Sequence, residues 1–465
     1  MSAAPPPPPA PIRWTRASDG SQRARMPVPV DHRDPDGPSI DLALVRHPAG
    51  EPGARQGVLV VTPDDPGSSG IALAGELRQA LPPSVTAAFD LVGFDHRFSG
   101  ESAPLQWGLD QREIFWVFHQ SETFAAEARF QAELAAKAAE HSLDVLPHIT
   151  TRDIARDLDA VRRGLGEERV CLLGHNYGSY VAAVYCRMFG EHADRVILDS
   201  VLSPDWVWRG LFGNFARTCE DTLRRWCEET ARRAGPLGDS PQRVRDAFDE
   251  VLSKAGAGGI MLPGVPVPLD EQFLRVLAMM LLSSRRSHPA LADVIRSAGT
   301  GAPLEAATQQ LIGSMFARPR EASTAAAQMA VLCGDAPWPR ELEEYETASR
   351  AASGFMDRAL LGVKAGAFWP VRPLEPPTEF GPLTSGRALL VQAERDMFTS
   401  DVGARQLRGL LGERARLVMV RDLVEHRVFP FAGDARVDAV AEEFLLTGRL
   451  PDADLVLDPD RAPER

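Results

Sequence analysis

The feature that most constrains the fold is a series of short apolar runs separated by segments with helical periodicity. A strand buried on both faces of a parallel sheet reads as such a run, whereas a half-buried strand alternates apolar and polar residues. Ile40–Val45 alternates in this way. Strands that alternate with helices predict an α/β protein with a parallel sheet and right-handed crossovers. The apolar runs are Gly57–Val61, Phe89–Phe94, Val170–Leu173, Val196–Leu198, Ala388–Val391 and Leu417–Val420.

The alternation stops between about 206 and 375, where the chain is helical and rich in Arg and Glu. We therefore expect a core of residues 26–205 and 376–465, with residues 206–375 inserted as a helical lid. The first 25 residues include five consecutive prolines. Residues 1–25 are accordingly predicted to be a disordered, Pro-rich arm.

The acidic composition limits the partners. The 465 residues carry a net charge of −13, which disfavours nucleic acid or an anionic membrane as the main partner. No run approaches the roughly 18 apolar residues of a transmembrane helix, and the first residues lack the basic and apolar regions of a signal peptide. We expect a small-molecule or short-peptide substrate, and the sequence leaves the oligomeric state open.

The cysteines predict a reducing compartment. They are Cys171, Cys186, Cys219, Cys227 and Cys333, an odd number with no CxxC pair. Cys219 and Cys227 would lie about 12 Å apart along a predicted helix, which is too far for a disulfide. We therefore expect free thiols and a cytoplasmic location. No metal and no cofactor are expected.

The segment Gly174-His-Asn-Tyr-Gly178 follows an apolar strand and precedes a helical pattern. In this context a G-x-S-x-G sequence forms a sharp nucleophile elbow that raises the central side chain above the sheet. The central residue here is Asn176. We expect the backbone N–H of Tyr177 and the loop at Asp65 to form an oxyanion hole beside it.

Two downstream residues complete the pattern of a catalytic triad. Asp396 lies just past a late predicted strand, and His426 follows the last strand and precedes the last helix. The order of nucleophile, acid and histidine is the chain order of hydrolases with this elbow. We therefore predict that Asp396 and His426 are the catalytic acid and base and that they face Asn176.

With these residues in place, the chain resembles the tripeptidyl aminopeptidase and proline iminopeptidase group of α/β-hydrolases, the S33-type peptidases. The resemblance covers about residues 26–450. It is carried by Thr150–Val161, by Phe94–Ser102, which is similar to that group's D-x-R-G-x-G-x-S loop, and by Phe368-Trp-Pro370. It implies an α/β-hydrolase fold, mostly parallel and flanked by helices, with an inserted lid and peptide-like substrates.

The chain departs from that group at two places. Members carry Ser at the position of Asn176, and they carry Gly-Gly-Pro-Gly where this chain has Asp64-Asp65-Pro66-Gly67. A carboxamide cannot replace an activated serine as nucleophile, although it can donate and accept hydrogen bonds. Carboxylates beside an oxyanion hole repel the charge it must stabilise, unless they are protonated or bound to a cation. Ser179 is expected to point away from His426.

Lids of this fold close over the site and shape the choice of substrate. Aromatic residues at the lid boundaries are therefore candidates to line a pocket, although an ordinary place in the core would explain each of them as well. The candidate substrate-binding residues are Asp64, His175, Trp206, Trp208 and Trp369.

Three functions fit these residues. The first is an atypical hydrolase-fold enzyme that uses a His426–Asp396 dyad for non-covalent acid/base chemistry, by hydrolysis, cyclisation, elimination or isomerisation, on a peptide-like or secondary-metabolite substrate, as in biosynthesis. The second is an S33-type aminopeptidase whose Ser or Asp nucleophile has been replaced by Asn176. The third is a non-catalytic ligand-binding pseudoenzyme. Retention of the dyad favours the first two, and the Asp64-Asp65 loop favours the first.

Overall fold

The computed structural model describes residues 11–233, 235–262, 268–315 and 320–458. Within these residues, ten strands form one sheet. They are β1 (Thr15–Arg16), β2 (Gln22–Pro29), β3 (Ser39–His47), β4 (Gly57–Thr62), β5 (Phe89–Phe94), β6 (Val170–Asn176), β7 (Ala193–Val201), β8 (Arg387–Ala393), β9 (Ala415–Val420) and β10 (Leu455–Leu457).

The strand order is β1-β2-β3-β5-β4-β6-β7-β8-β9-β10. The first three pairings along this order are antiparallel, and every later pairing is parallel. The α/β class with a mostly parallel sheet is therefore confirmed. The apolar runs became strands because both faces of the sheet are covered: Leu172 packs into one core, and its neighbours Cys171 and Leu173 pack into the other.

Helices cover the two faces. Leu158 and Val181 pack into the core on one face, and Leu77 and Phe444 pack into the core on the other. The helices outside the stretch between β7 and β8 are α1 (Gly70–Ala80), α2 (Pro83–Ala88), α3 (Phe124–Ser142), α4 (Thr151–Gly164), α5 (Tyr177–Met188), α14 (Asp401–Leu411) and α15 (Ala435–Thr447).

The stretch between β7 and β8 contains helices and contributes no strand to the sheet in its described part. It occupies the position of the expected lid. Its apolar helix begins after Asp270, whose side chain accepts the N–H of Phe273 at 2.7 Å and so caps the first turn. The helices are α6 (Arg209–Arg232), α7 (Pro241–Gly256), α8 (Glu271–Leu282), α9 (His288–Thr300), α10 (Ala306–Met315), α11 (Ala322–Gly334), α12 (Leu342–Ala351) and α13 (Asp357–Leu361).

The structure corrects the prediction of a disordered arm over residues 1–25. Residues 1–10 lie outside the described residues, but β1 and the first half of β2 fall within the rest of the arm. β2 pairs with β3 along its whole length, and Arg25 donates a hydrogen bond to the carbonyl of Glu101 at 2.9 Å. The apolar pattern missed β2 because most of its side chains stay at least partly exposed.

All five cysteines are buried and carry free thiols. Among the described helices, none combines the length and the apolar character that crossing a membrane requires.

The turn between β6 and α5 requires two glycines. A Cβ on Gly174 would lie 2.2 Å from the carbonyl oxygen of Gly178, and a Cβ on Gly178 would lie 2.3 Å from the carbonyl oxygen of Thr62. Both contacts are with backbone atoms, which cannot move aside as a flexible side chain can. The hydroxyl of Thr62 also donates to the carbonyl of Gly178 at 3.0 Å and joins β4 to the turn.

We predict that Gly178→Ala lowers the free energy of unfolding by about 3 kcal/mol or more, because the added methyl overlaps the backbone of β4. Gly75→Ala is the matched control, since a Cβ on Gly75 of α1 meets nothing within 4 Å. Removing a helical glycine should raise stability by about 0.5 to 1 kcal/mol. Urea unfolding measures both changes. Equal stability of Gly178→Ala and the unsubstituted protein would contradict this account.

Candidate active site

The elbow holds Asn176 in a strained backbone conformation. Its φ of 48° and ψ of −115° lie in a region that residues other than glycine seldom adopt. The hydroxyl of Ser179 donates to the carbonyl of Asn176 at 2.6 Å and accepts the N–H of Leu202 at 3.1 Å. Ser179 therefore braces the turn, and its hydroxyl is committed to backbone atoms.

A cavity of about 260 Å³ lies above the elbow. Its walls are mostly apolar and come from the loop before α3 and from α6, α8 and α11. The apolar lining includes Val117, Phe118, Trp208, Leu211, Phe212, Phe215, Met279, Leu332 and Phe398. The polar lining is Asp64, Asp65, Asn176, Arg320, Gln328 and His426.

The structure brings His426 and Asp396 together at this cavity. His426 Nδ1 donates to Asp396 Oδ2 at 2.8 Å, so the other ring nitrogen is free to act in the cavity. Asp396 also accepts the N–H groups of Phe398 and Thr399 at 2.9 and 3.2 Å and the Thr399 hydroxyl at 2.7 Å. These bonds hold the carboxylate in place and keep it an acceptor, which fixes the orientation of the imidazole.

Three carboxylates determine the charge of His426. Burial alone would lower the pKa of this imidazole, but Asp396, followed by Asp64 and Asp65, outweighs burial and raises the pKa to about 9. His426 is therefore an imidazolium at neutral pH. A general base for serine works best with a pKa near the operating pH. The free site thus holds a proton donor where a serine hydrolase holds a proton acceptor.

Asp64 and Asp65 occupy different environments. Asp64 Oδ2 lies 3.2 Å from Arg427 Nε. Asp65 is exposed, and it lines the cavity. Burial raises the pKa of the Asp65 carboxyl, while Arg320 opposes that rise. The cavity consequently contains a carboxyl group with a raised pKa and an imidazole with a raised pKa.

The oxyanion hole expected at Tyr177 needs correction. The N–H of Tyr177 donates to the backbone carbonyl of Asp64 at 2.9 Å. An oxyanion hole requires free donors aimed at the developing negative charge. In this conformation the donor is already paired, and an oxyanion would have to displace a carbonyl oxygen. The N–H of Asp65, the second predicted donor, forms no backbone hydrogen bond within the described residues.

Three of the predicted substrate-binding residues lie outside the cavity lining. His175 is fully buried, and its Nε2 donates to the carbonyl of Phe429 at 2.7 Å. Burial lowers the pKa of His175 to about 4, so this ring is neutral. Its place is explained by the alternation of β6, because neighbouring side chains of a strand point to opposite faces.

The three predicted tryptophans also lie in different environments. Trp206 lies against α14, where its ring would be 2.8 Å from a Cβ on Gly403. Trp369 is buried with its ring centroid 6.2 Å from that of Trp107. Trp208 alone of the three lines the cavity. Only packing against neighbouring elements distinguishes these positions, because each tryptophan adjoins the same inserted segment.

Sequence reasoning missed several lining residues. Phe212 and Phe215 of α6 follow the predicted Trp208 at helical spacing, so this stripe was a usable signal. The sequence contains no such signal for Arg320 and Gln328, because no local pattern places them opposite the elbow. Arg320 donates to Gln328 Oε1 at 2.7 Å, and its Nε is buried without a partner in the described part of the chain.

Within the described ranges, there is no cluster of three or more His, Cys, Asp or Glu side chains that could hold a metal ion.

A strained turn after a central parallel strand, with an Asp–His pair after two later strands, defines an α/β-hydrolase architecture. The chain belongs to the α/β-hydrolase family and carries a TAP-like segment. Its residues 67–242 match the family model for the alpha/beta hydrolase fold, and residues 352–456 match the model for TAP-like proteins. Its relatives in this family are enzymes of the peptidase and esterase type.

The chain is 31% identical to the tripeptidyl aminopeptidase of Streptomyces lividans, over 94% of this chain and 83% of the relative. It is 26% identical to the serine protease Hip1 of Mycobacterium tuberculosis, over 95% and 90% of the two chains. Among solved structures, it is similar to a proline iminopeptidase-related protein from Thermus thermophilus, with 16% identity and a TM-score of 0.36 over 91% of this chain and 98% of that one.

We predict that an NMR titration finds His426 with a pKa of about 9 and that Asp65→Asn lowers this pKa, since one facing charge is removed. Glu413→Gln, at an exposed position, is the control and should leave the pKa unchanged. Because the folded pKa exceeds the ordinary 6.5, the charged ring stabilises the fold fully below pH 6.5, and this contribution is lost as pH rises through about 9. A pKa of His426 below 7 would refute the carboxylate argument.

Proposed function

We propose that this chain is an atypical α/β-hydrolase-fold enzyme that performs non-covalent acid/base chemistry with the His426–Asp396 dyad. One observation carries the proposal. Asn176 stands at the elbow beside a paired Tyr177 N–H, in the cavity it shares with His426, whose pKa the neighbouring carboxylates raise. Each of the three parts of a serine-hydrolase apparatus is thus altered.

The chemistry follows from the two charged groups that share the cavity. His426, as imidazolium, donates a proton to a substrate atom that gains negative charge, while Asp396 holds the ring in one orientation. Asp65 is the matching proton acceptor, because the raised pKa of its carboxyl group makes the carboxylate a stronger base than an ordinary aspartate. Neighbouring groups whose environments separate their pKa values make an acid/base pair. Hydrolysis, cyclisation, elimination and isomerisation all require such a pair.

The cavity limits the substrate. At about 260 Å³, it lies below the roughly 300 to 1,000 Å³ of pockets for drug-sized ligands. Aromatic walls suit an apolar body, while Asp65 and Arg320 offer opposite charges to amino and carboxyl groups. We infer a compact peptide-like or secondary-metabolite substrate, which agrees with the peptidase names of the relatives.

The alternatives account for less of the site. An aminopeptidase that has only lost its nucleophile explains Asn176, but it does not explain Asp64 and Asp65. A non-catalytic binding protein would have no use for an aspartate held by three donors to orient a histidine. The cytoplasmic location and the division into core and lid stay predictions.

We expect no covalent serine-type adduct with this protein. After incubation with a fluorophosphonate probe, intact mass measurement should find the unmodified chain, because Ser179 is held by backbone bonds and no serine stands at the elbow. In parallel, pools of short peptides and aminoacyl amides followed by mass spectrometry should reveal turnover that His426→Gln removes and Ser179→Ala retains. A stoichiometric adduct at residues 170–187 would overturn the proposal.

A second experiment separates the diverged enzyme from a peptidase with a replaced nucleophile. In the latter case Asn176→Ser restores the triad, and cleavage of aminoacyl and short peptidyl chromogenic substrates should rise ~10³-fold or more. We predict a much smaller rise, because the Tyr177 donor stays paired and His426 stays protonated. The matched variant adds Asp64→Gly and Asp65→Gly, and we expect it to exceed the single variant, since loss of both carboxylates lowers the pKa of His426 and removes charge that repels an oxyanion. Full peptidase activity from Asn176→Ser alone would contradict our proposal and support an aminopeptidase whose nucleophile has been replaced.

A further inference from the structure

The elbow places the side chain of Asn176 against the next peptide nitrogen. In an L-residue, Cβ follows the backbone nitrogen by about 120° around the Cα–C bond. With ψ at −115°, Cβ therefore nearly eclipses the nitrogen of Tyr177. In an α-helix, with ψ near −42°, Cβ is rotated well away from that nitrogen. The eclipsed arrangement is the one in which a five-membered ring through N, C, Cα, Cβ and Cγ closes without backbone rotation.

We propose that Asn176 is a self-modifying site, which loses its amide in the folded protein and becomes aspartate through a cyclic imide. The inference rests on the elbow geometry and does not depend on the proposed enzymatic function. Bringing two reacting groups into a near-attack arrangement accounts for part of the activation barrier of a reaction. A fold that already holds the groups in this arrangement removes that part in advance. The backbone conformation of Asn176, maintained by the packing of β4, β6 and α5, supplies the backbone part of that arrangement.

The reaction balances with water as the only co-reactant. The nitrogen of Tyr177 bonds to Cγ of Asn176 and loses its proton to water in the cavity. The bond from Cγ to Nδ2 breaks, and ammonia leaves after taking a proton from the imidazolium of His426, which recovers one from solvent. Water then adds to the imide at Cγ and breaks the new bond to nitrogen, which leaves a carboxyl group at position 176. No oxidation or reduction occurs.

The surroundings favour each step. The hydrogen bond from the Tyr177 N–H to Asp64, at 2.9 Å, draws the proton away and adds electron density to the nitrogen. His426 lines the same cavity as Asn176 and carries the proton that ammonia needs. Water reaches Cγ from the cavity, whereas Ser179 covers the backbone carbonyl at 2.6 Å. Aspartate is therefore the main product over isoaspartate.

The chain contains its own control. It has two asparagines, Asn176 and Asn214. Asn214 lies within α6, and its side chain accepts bonds from Arg217 at 2.7 Å and Ser400 at 3.1 Å. Tryptic cleavage separates the two asparagines into peptides 170–187 and 210–217.

The experiment incubates the full chain near neutral pH, folded in buffer or unfolded in urea, and follows both tryptic peptides by mass spectrometry. We expect residue 176 to lose its amide about tenfold or more faster in the folded chain, through an intermediate lighter by one ammonia, while Asn214 stays intact in the folded chain. Asn176→Asp provides the elution standard for the product. An equal or slower rate at residue 176 in the folded chain would overturn the proposal.

Asn176→Gln tests whether amide loss proceeds through the five-membered imide ring. Closure through glutamine would need a six-membered ring, and the extra methylene removes the eclipsed contact, so the amide should persist in the folded chain. Amide loss from Asn176→Gln at the rate of the unsubstituted protein would show that cavity water attacks the side chain directly, and that outcome would also refute the imide route. Neither readout requires a known substrate or any enzymatic activity.

Discussion

The approach of α5 to β4 and β6 is the contact on which the rest of the site depends. Gly174 and Gly178 let the backbone pass so close to Thr62 that no side chain fits between them. This closeness forces the turn at Asn176 into its strained conformation and carries its side chain above the sheet. The strain of about 1–3 kcal/mol that such a residue stores is held by the packing around it. The geometry persists whatever side chain stands at the tip.

Electrostatics then decides what that geometry can do. Asp396, Asp64 and Asp65 all act on His426, and together they exceed the effect of burial on its pKa. Arg427 and Arg320 balance part of the same negative charge. A site with this balance favours a protonated histidine, and it opposes the negative oxygen that acyl transfer from a serine creates. The carboxylates of the loop after β4 therefore matter as much as the residue at the elbow.

Particular strands and residues show which parts of the fold and of the site can be predicted from the sequence. Phe89–Phe94 is a strand over the predicted residues because all six residues are buried. β2 escaped prediction because most of its side chains stay at least partly exposed and its pairing with β3 is a tertiary contact. Within the site, the order of Asn176, Asp396 and His426 followed from the strands that precede them. The burial of Trp369 away from the cavity had no local signal.

The sequence by itself determined the buried strands of the parallel sheet, the elbow with Asn176 at its tip, and the family resemblance, because hydrophobic period, glycine spacing and residue identity are all local properties of the chain. Only the tertiary structure decided that the Tyr177 N–H pairs with Asp64, that Asp65 faces Arg320, and that His426 carries a proton. These depend on distances between segments far apart in the chain and on how far each charge is removed from water, and neither quantity is written in any local pattern.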